Sequence, residues 1–186
     1  MPSGCNLPIS ILVPKKKDIL LISNFRSDQQ HSMLRFRDLL MPQTPKRENL
    51  NIHEIYPSPL VYKLFKHTIA AKWAAYFDKY FLFPKTLKNI LANNTHKFEL
   101  AHIIDQSNSP YLKTIHKISS ANCLITCHDM IAIRTALGEL PEAPQTSLSG
   151  KRLQSWIQNS LSLADFYACD SYQTICDLNR IVPSSR

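Results

Sequence analysis

Short apolar runs, each stopped by a polar cluster, constrain the fold of this chain more than any other feature. The run Cys123-Leu124-Ile125-Thr126-Cys127 leaves a polar turn and ends in His128-Asp129. Just upstream, Phe98 to Ile104 ends in Asp105-Gln106-Ser107. Near the start, Ile19-Leu20-Leu21-Ile22 ends in Ser23-Asn24-Phe25-Arg26. Runs of this length are too short for helices and read as strands. Their continuous hydrophobicity implies burial on both faces, as in a parallel sheet. In open α/β sheets, ligands bind beyond the carboxyl ends of the strands, so these polar tips stand where chemistry is done.

Between the runs the pattern turns helical. Gln29 to Met41 carries Met33, Leu34, Phe36, Leu39 and Leu40 at helical spacing and is stopped by Pro42. Leu50 to Tyr56 reads as a second strand, closed by Pro57 and Pro59. Leu60 to about Tyr80 reads as one long helix with Leu64, Phe65, Ile69, Ala70, Trp73 and Phe77 on its apolar side. Pro84 breaks it, and a shorter helix covers Thr86 to Ala92. Helices are also predicted over Pro110 to Ile118, Met130 to Leu137, Lys151 to Leu163 and Tyr172 to Ile181. Glu139 to Gly150 is a loop, and Phe166-Tyr167-Ala168-Cys169 is a fifth strand ending at Asp170-Ser171. Alternating strands and helices predict an α/β, Rossmann-like parallel sheet flanked by helices. The organisation expected is a disordered leader over 1–17, one domain over 18–182 and the start of a linker at 183–186.

With 3 glycines in 186 residues, neither G-x-G-x-x-G nor G-x-x-x-x-G-K-[ST] occurs, which excludes Gly-rich phosphate loops. A formal charge of +8 favours anionic partners. Nucleic acid is not among those expected, because the interleaving of basic and aromatic residues used by such surfaces is missing. The 5 cysteines, an odd number without regular spacing, indicate free thiols in a reducing compartment. Cys123 and Cys127 lie on one side of their strand and read as small buried hydrophobes rather than a metal site. No secretory signal is evident, since Lys15-Lys16-Lys17 follow the apolar patch instead of preceding it. No apolar run is long enough to cross a bilayer. The expected location is the cytoplasm, with the inner face of the membrane as an alternative.

The order of the strand-end motifs adds a resemblance. Asp105-Gln106-Ser107 is followed by Cys127-His128-Asp129-Met130-Ile131, then by Ile157-Gln158-Asn159-Ser160-Leu161-Ser162-Leu163-Ala164-Asp165 and Ala168-Cys169-Asp170-Ser171-Tyr172-Gln173-Thr174. Together with Ser32-Met33-Leu34-Arg35-Phe36 at the start of the first helix, this series resembles the amino-terminal domain of family 4 glycosyltransferases. The similarity runs from about Ile19 to Val182. It implies one half of a GT-B architecture, in which two Rossmann-like domains face each other across a cleft. This half would bind a glycan or lipid-linked acceptor, and a carboxyl-terminal domain would hold the nucleotide-sugar. Such a donor-binding domain is expected from the same or a neighbouring reading frame, because the linker would begin near Arg186. The resemblance further implies a retaining, hexosyltransferase-type enzyme without a bound metal or other cofactor, inactive as an isolated half. The loop from Asn24 to Ser32 departs from the pattern in lacking the glycines that many relatives place there.

His128 is the candidate catalytic residue: an imidazole at a strand end can hydrogen-bond the sugar or stabilise the developing oxocarbenium ion. The alternative is a histidine satisfied by local backbone. Asp129, adjacent on the strand, points to the opposite face and suits capping of the following turn better than ligand binding. Asp105, Gln106 and Ser107 suit acceptor hydroxyls and equally suit capping, with Ser107 or Ser109 as the cap before Pro110. Asn24, Arg26 and Ser32 line the exit of the first strand, Arg26 being suited to an anionic group. Ser171 reads as a helix N-cap as much as a substrate contact.

The lysines Lys63, Lys66, Lys72, Lys79, Lys85, Lys88 and Lys97, opposed by Asp78 alone, suggest peripheral membrane contact. On a single helix, however, they would scatter around the axis as a solvated face. Trp73, Phe77, Tyr80 and Phe81 are expected in the core or in a domain interface. A stand-alone glycan- or protein-binding module is the competing reading.

Overall fold

The computed structural model describes residues 16–28, 30–43, 49–93 and 97–182. Nearly all of the expected leader, the loop positions 44–48 and 94–96, and the expected linker at 183–186 lie outside the described residues. Five strands form one sheet: β1 (Lys17–Ile22), β2 (Leu50–Ile55), β3 (Leu100–Ile103), β4 (Asn122–Cys127) and β5 (Phe166–Cys169). They are all parallel, in the order β2-β1-β3-β4-β5. This is a Rossmann-like α/β fold, and the order reverses between β1 and β3, the point at which doubly wound sheets open a crevice for ligands.

Alternate strand residues explain the core. Leu20 and Ile22, Ala101 and Ile103, and Cys123, Ile125 and Cys127 share one face by register and are all buried. Against this face pack residues of α4 (Phe83–Asn93), α5 (Leu112–Ile118), α7 (Leu148–Leu161) and α8 (Tyr172–Ile181), among them Leu87, Ile115, Leu161 and Leu178. The cysteines behave as the small hydrophobes expected, and burial pushes the Cys123 thiol up to about 12. Cys127, Cys169 and Cys176 are also free. The helix α1 (His31–Gln43) follows β1 and continues one residue past Pro42 rather than stopping before it.

The segment after β2 departs furthest from expectation. Instead of one helix there are α2 (Tyr62–Phe65) and α3 (Ala71–Phe77), then a π-helical turn over Asp78–Leu82 that runs directly into α4. Thr68 ends the first piece: its hydroxyl donates to the Phe65 carbonyl at 2.8 Å and accepts from the Ala70 N–H at 3.2 Å. Side-chain competition of this kind interrupts helical hydrogen bonding. Pro84 does not break the chain, because the widened turn before it relieves the clash that proline makes with the preceding turn. The buried side is Ala74, Ala75, Asp78 and Lys79, while Leu64, Phe65, Ile69, Trp73 and Phe77 face outward.

Smaller corrections follow from caps. The helix expected from Pro110 begins as a 3-10 turn over Gln106–Tyr111, and its cap is Asp105, which accepts from the Ser107 N–H. Ser109 instead donates to the Ile157 carbonyl at 2.8 Å, tying the turn to α7. That helix starts at Leu148, inside the expected loop, with Ser147 as its cap. The predicted helix after Asp129 is α6 (Ile131–Ala136). No helix among the described residues is long and apolar enough to cross a membrane.

Candidate functional site

Parallel register aligns the strand tips. Because Ile22 pairs with Ile103, Asn24 falls beside Asp105; because Cys127 pairs with Cys169, His128 falls beside Asp170. Both neighbours are bonded. Asn24 Nδ2 donates to Asp105 Oδ2 at 2.6 Å and to Gln30 Oε1 at 2.6 Å. Asn108 Nδ2 donates to Asn24 Oδ1 at 2.8 Å. The other oxygen of Asp105 accepts from the Ser107 N–H at 2.7 Å. Asn24, Asp105 and Asn108 are all buried. A charged or amide group withdrawn from water needs this many partners.

His128 occupies the next station. Its Nε2 donates to the Ile104 carbonyl at 3.0 Å, and its Nδ1 lies 3.1 Å from Asp170 Oδ2. The ring stands edge-on to Phe36 of α1, centroids 5.0 Å apart. Its side chain is 16% exposed, that of Asp170 53%. The ring is therefore braced by backbone on one side and opens toward solvent on the side of the carboxylate. The Ile104 carbonyl accepts from Nε2–H, so Nδ1 is the ring nitrogen that faces Asp170. Gln106, next to Asp105 in the chain, holds the backbone of the His128 station: Nε2 donates to the Asp129 carbonyl at 2.8 Å and Oε1 accepts from the His128 N–H at 3.1 Å.

The remaining candidates divide. Asp129 accepts from the Ile131 N–H at 3.0 Å and so caps the turn that leads into α6, whose N-cap is Met130, while Ser171 accepts from the Thr174 N–H at 3.1 Å as the N-cap of α8. Ser107 contributes its carbonyl, which accepts from the Tyr80 hydroxyl at 3.2 Å. Arg26 turns to the β2 edge, 3.8 Å from Glu54 and stacked at 3.9 Å over Tyr56. Ser32 is exposed on the first turn of α1, four residues before Phe36. Rim geometry thus joins Asn24, Asp105, Gln106 and His128, and leaves Arg26 and Ser32 outside their hydrogen bonds.

Asp170, Asn108 and Glu54 were not evident in the sequence as site residues. Asp170 had a signal, since it follows the last strand as His128 follows β4. Glu54 binds Arg37 through both oxygens and accepts from Ser23 at 2.6 Å. Burial would raise its carboxyl, but the hydrogen bonds from Arg37 and Ser23 prevail and hold it below its ordinary value.

Beside Gln106, Ser107 and Asp129 lies a hollow of about 50 Å³, far below the several hundred Å³ that small-molecule sites enclose. One metal-capable group occurs among the described residues, at the opposite end of β4: His116, Cys123 and Asp165, with ligand atoms within 4.8 Å. Each already has a partner. His116 Nε2 meets the Leu163 carbonyl at 2.6 Å, Asp165 accepts from the Cys123 N–H at 2.8 Å, and the Cys123 thiol donates to the Ala121 carbonyl at 3.7 Å.

The fold defines a Rossmann-like domain whose strand tips form one hydrogen-bonded polar rim. No family model, curated protein or solved structure matches the chain. What links it to a function is therefore the geometry of this rim and the order of its sequence motifs.

Proposed function

We propose that this chain is the acceptor-binding amino-terminal half of a retaining glycosyltransferase of hexosyltransferase type. It takes a glycan or lipid-linked acceptor, and a donor-binding domain in the same or a neighbouring reading frame brings the nucleotide-sugar. The observation that carries this reading is the alignment of Asn24, Asp105, Gln106 and His128 along one rim at the reversal of strand order. The shallow hollow is in keeping with one wall of a cleft that a second domain completes.

On this reading the buried Asn24–Asp105–Asn108 network fixes the floor. His128, held in orientation by the Ile104 carbonyl and Phe36, faces the sugar and stabilises positive charge developing at the anomeric carbon. Asp170 orients the ring from the solvent side. Co-expression with the adjoining reading frame, followed by mass-spectrometric screening against several nucleotide-sugars, tests the proposal. Transfer is expected, and His128→Ala in the completed enzyme is expected to lower turnover roughly 100-fold with an unchanged fold. Unaltered turnover sinks the role of His128, and the absence of any second Rossmann-like frame removes the enzyme reading.

A stand-alone glycan- or protein-binding module has one observation in its favour: most of the rim's polar groups already have partners within the chain, Asn108 Oδ1 being an exception. It predicts saccharide binding by the chain alone, with neither hydrolysis nor transfer of a nucleotide-sugar.

A further inference from the structure

We infer that the surface running from Leu60 to Lys88 docks on an anionic lipid bilayer. This inference uses neither glycosyl transfer nor acceptor binding, so its failure leaves that reading untouched.

Large apolar side chains here have no cover among the described residues. Leu64 is 79% exposed, Trp73 61%, and Ile69 is fully exposed, with Leu60, Phe77 and Phe81 also outward. Part of this surface is a continuous ridge. Trp73, Phe77 and Phe81 recur every fourth residue along α3 and the π-helical turn, and the Phe77 and Phe81 rings stack with centroids 4.7 Å apart. Lys85, at the start of α4, holds its ammonium 4.1 Å over the Phe81 ring. Apolar patches of this kind on a soluble surface mark interaction sites.

Charge selects the occupant. Between Glu54 and Glu99 the sequence contains a single acid, Asp78. It is buried, and both its oxygens are taken by the N–H groups of Val61 and Tyr62, at 2.9 and 2.8 Å. Lys79 is likewise withdrawn, paired with Asp28 at 2.6 Å. The acid that would neutralise the surface is thus removed from it, while Lys63, Lys66, Lys72, Lys85 and Lys88 stay exposed.

Beside the ridge, α4 and α5 leave an open groove of about 480 Å³ lined by Pro84, Lys85, Lys88, Thr114, Lys117 and Ile118. Three ammonium groups around an apolar floor suit a phosphate headgroup with the start of its acyl chains. A second copy of the chain fits less well, because symmetric pairing would set lysine against lysine. Apolar insertion flanked by lysines is how monotopic proteins hold an anionic interface. The surface is also tied to the strand-tip rim, through Lys79 to the loop after β1 and through Tyr80 to Ser107.

The test is co-sedimentation of the full 186-residue chain with vesicles of phosphatidylcholine alone or mixed with phosphatidylglycerol. Binding to the mixed vesicles is expected to be roughly tenfold tighter. Ile69→Glu and Lys85→Glu are each expected to weaken it several-fold with unchanged circular dichroism. Trp156→Phe leaves Trp73 as the only indole, and its emission is expected to shift to the blue on the mixed vesicles. Equal binding to both vesicles, an unmoved Trp73 emission, or full binding by Ile69→Glu would overturn the inference. So would displacement by soluble glycerophosphate, which would mean a phosphate site alone. A dimer in solution that Ile69→Glu dissociates would give the surface to a second copy instead.

Discussion

At the β1/β3 tips an amide and a carboxylate meet 2.6 Å apart beneath the surface, whereas at the β4/β5 tips an imidazole and a carboxylate meet 3.1 Å apart with Asp170 half-exposed. Register places both pairs in the same relation to the sheet. The difference comes from what lies above them. Asn108 and the 3-10 turn close over Asn24 and Asp105, while nothing among the described residues closes over Asp170. Interactions of a buried polar group are costly to remove because the partners are left without water. Those of an exposed pair are screened and replaced by solvent. One pair is therefore suited to hold the rim, and the other to meet a ligand.

The contrast is broken most directly at Asp105. Asp105→Ala removes one of the two acceptors of Asn24 Nδ2 and leaves the Ser107 N–H without its carboxylate partner, and is expected to cost about 3 kcal/mol, read from denaturant unfolding. A loss below about 1 kcal/mol would place the pair in the same class as the exposed one.

A second, partly buried imidazole sharpens the comparison with His128. His102 on β3, bonded to the Thr126 hydroxyl at 2.8 Å, is lowered to about 4 by burial. Its folded form is the neutral one, and the unfolded chain takes up the proton first, near the ordinary value of 6.5. Stability is thus complete above the unfolded value, falls as pH drops toward the folded value, and this contribution is flat below it. The loss is expected to be on the order of 2–3 kcal/mol, and His102→Gln is expected to abolish most of it. Glu54, held low by Arg37, acts in a different window, below the ordinary carboxylate value.

Smaller effects belong to the outer pair. Ser171→Ala removes the cap of α8 and is expected to cost about 1 kcal/mol by thermal unfolding. Asp170→Asn is expected to change stability by less than about 0.5 kcal/mol and yet, on the proposed function, to lower turnover with the donor-binding domain present by freeing the His128 ring. A large stability loss in that variant, with turnover intact, would reverse the assignment of the two pairs.

Much of the fold was legible because strands and caps are local. The runs at Leu20 to Ile22 and Cys123 to Cys127 announced a parallel sheet, and Asp129 and Ser171 served as the caps their positions suggested. The segment after β2 was not legible. Its apolar spacing fits a single helix, but Thr68 interrupts it and Asp78 reaches back to the N–H groups of Val61 and Tyr62. Those bonds turn Ala74 and Ala75 inward and Trp73 and Phe77 outward, reversing the face that the spacing selected.

The sequence by itself determined where strands end and that they end in polar groups, since a run of branched and apolar residues needs burial over its whole length and His128 or Asp105 cannot share it. Tertiary structure alone decided which tips became partners and which were covered. His128 meets Asp170, and Asn24 meets Asp105, only because parallel pairing brings together residues far apart in the chain. Burial depends on what packs above a residue, and no local spacing encodes that.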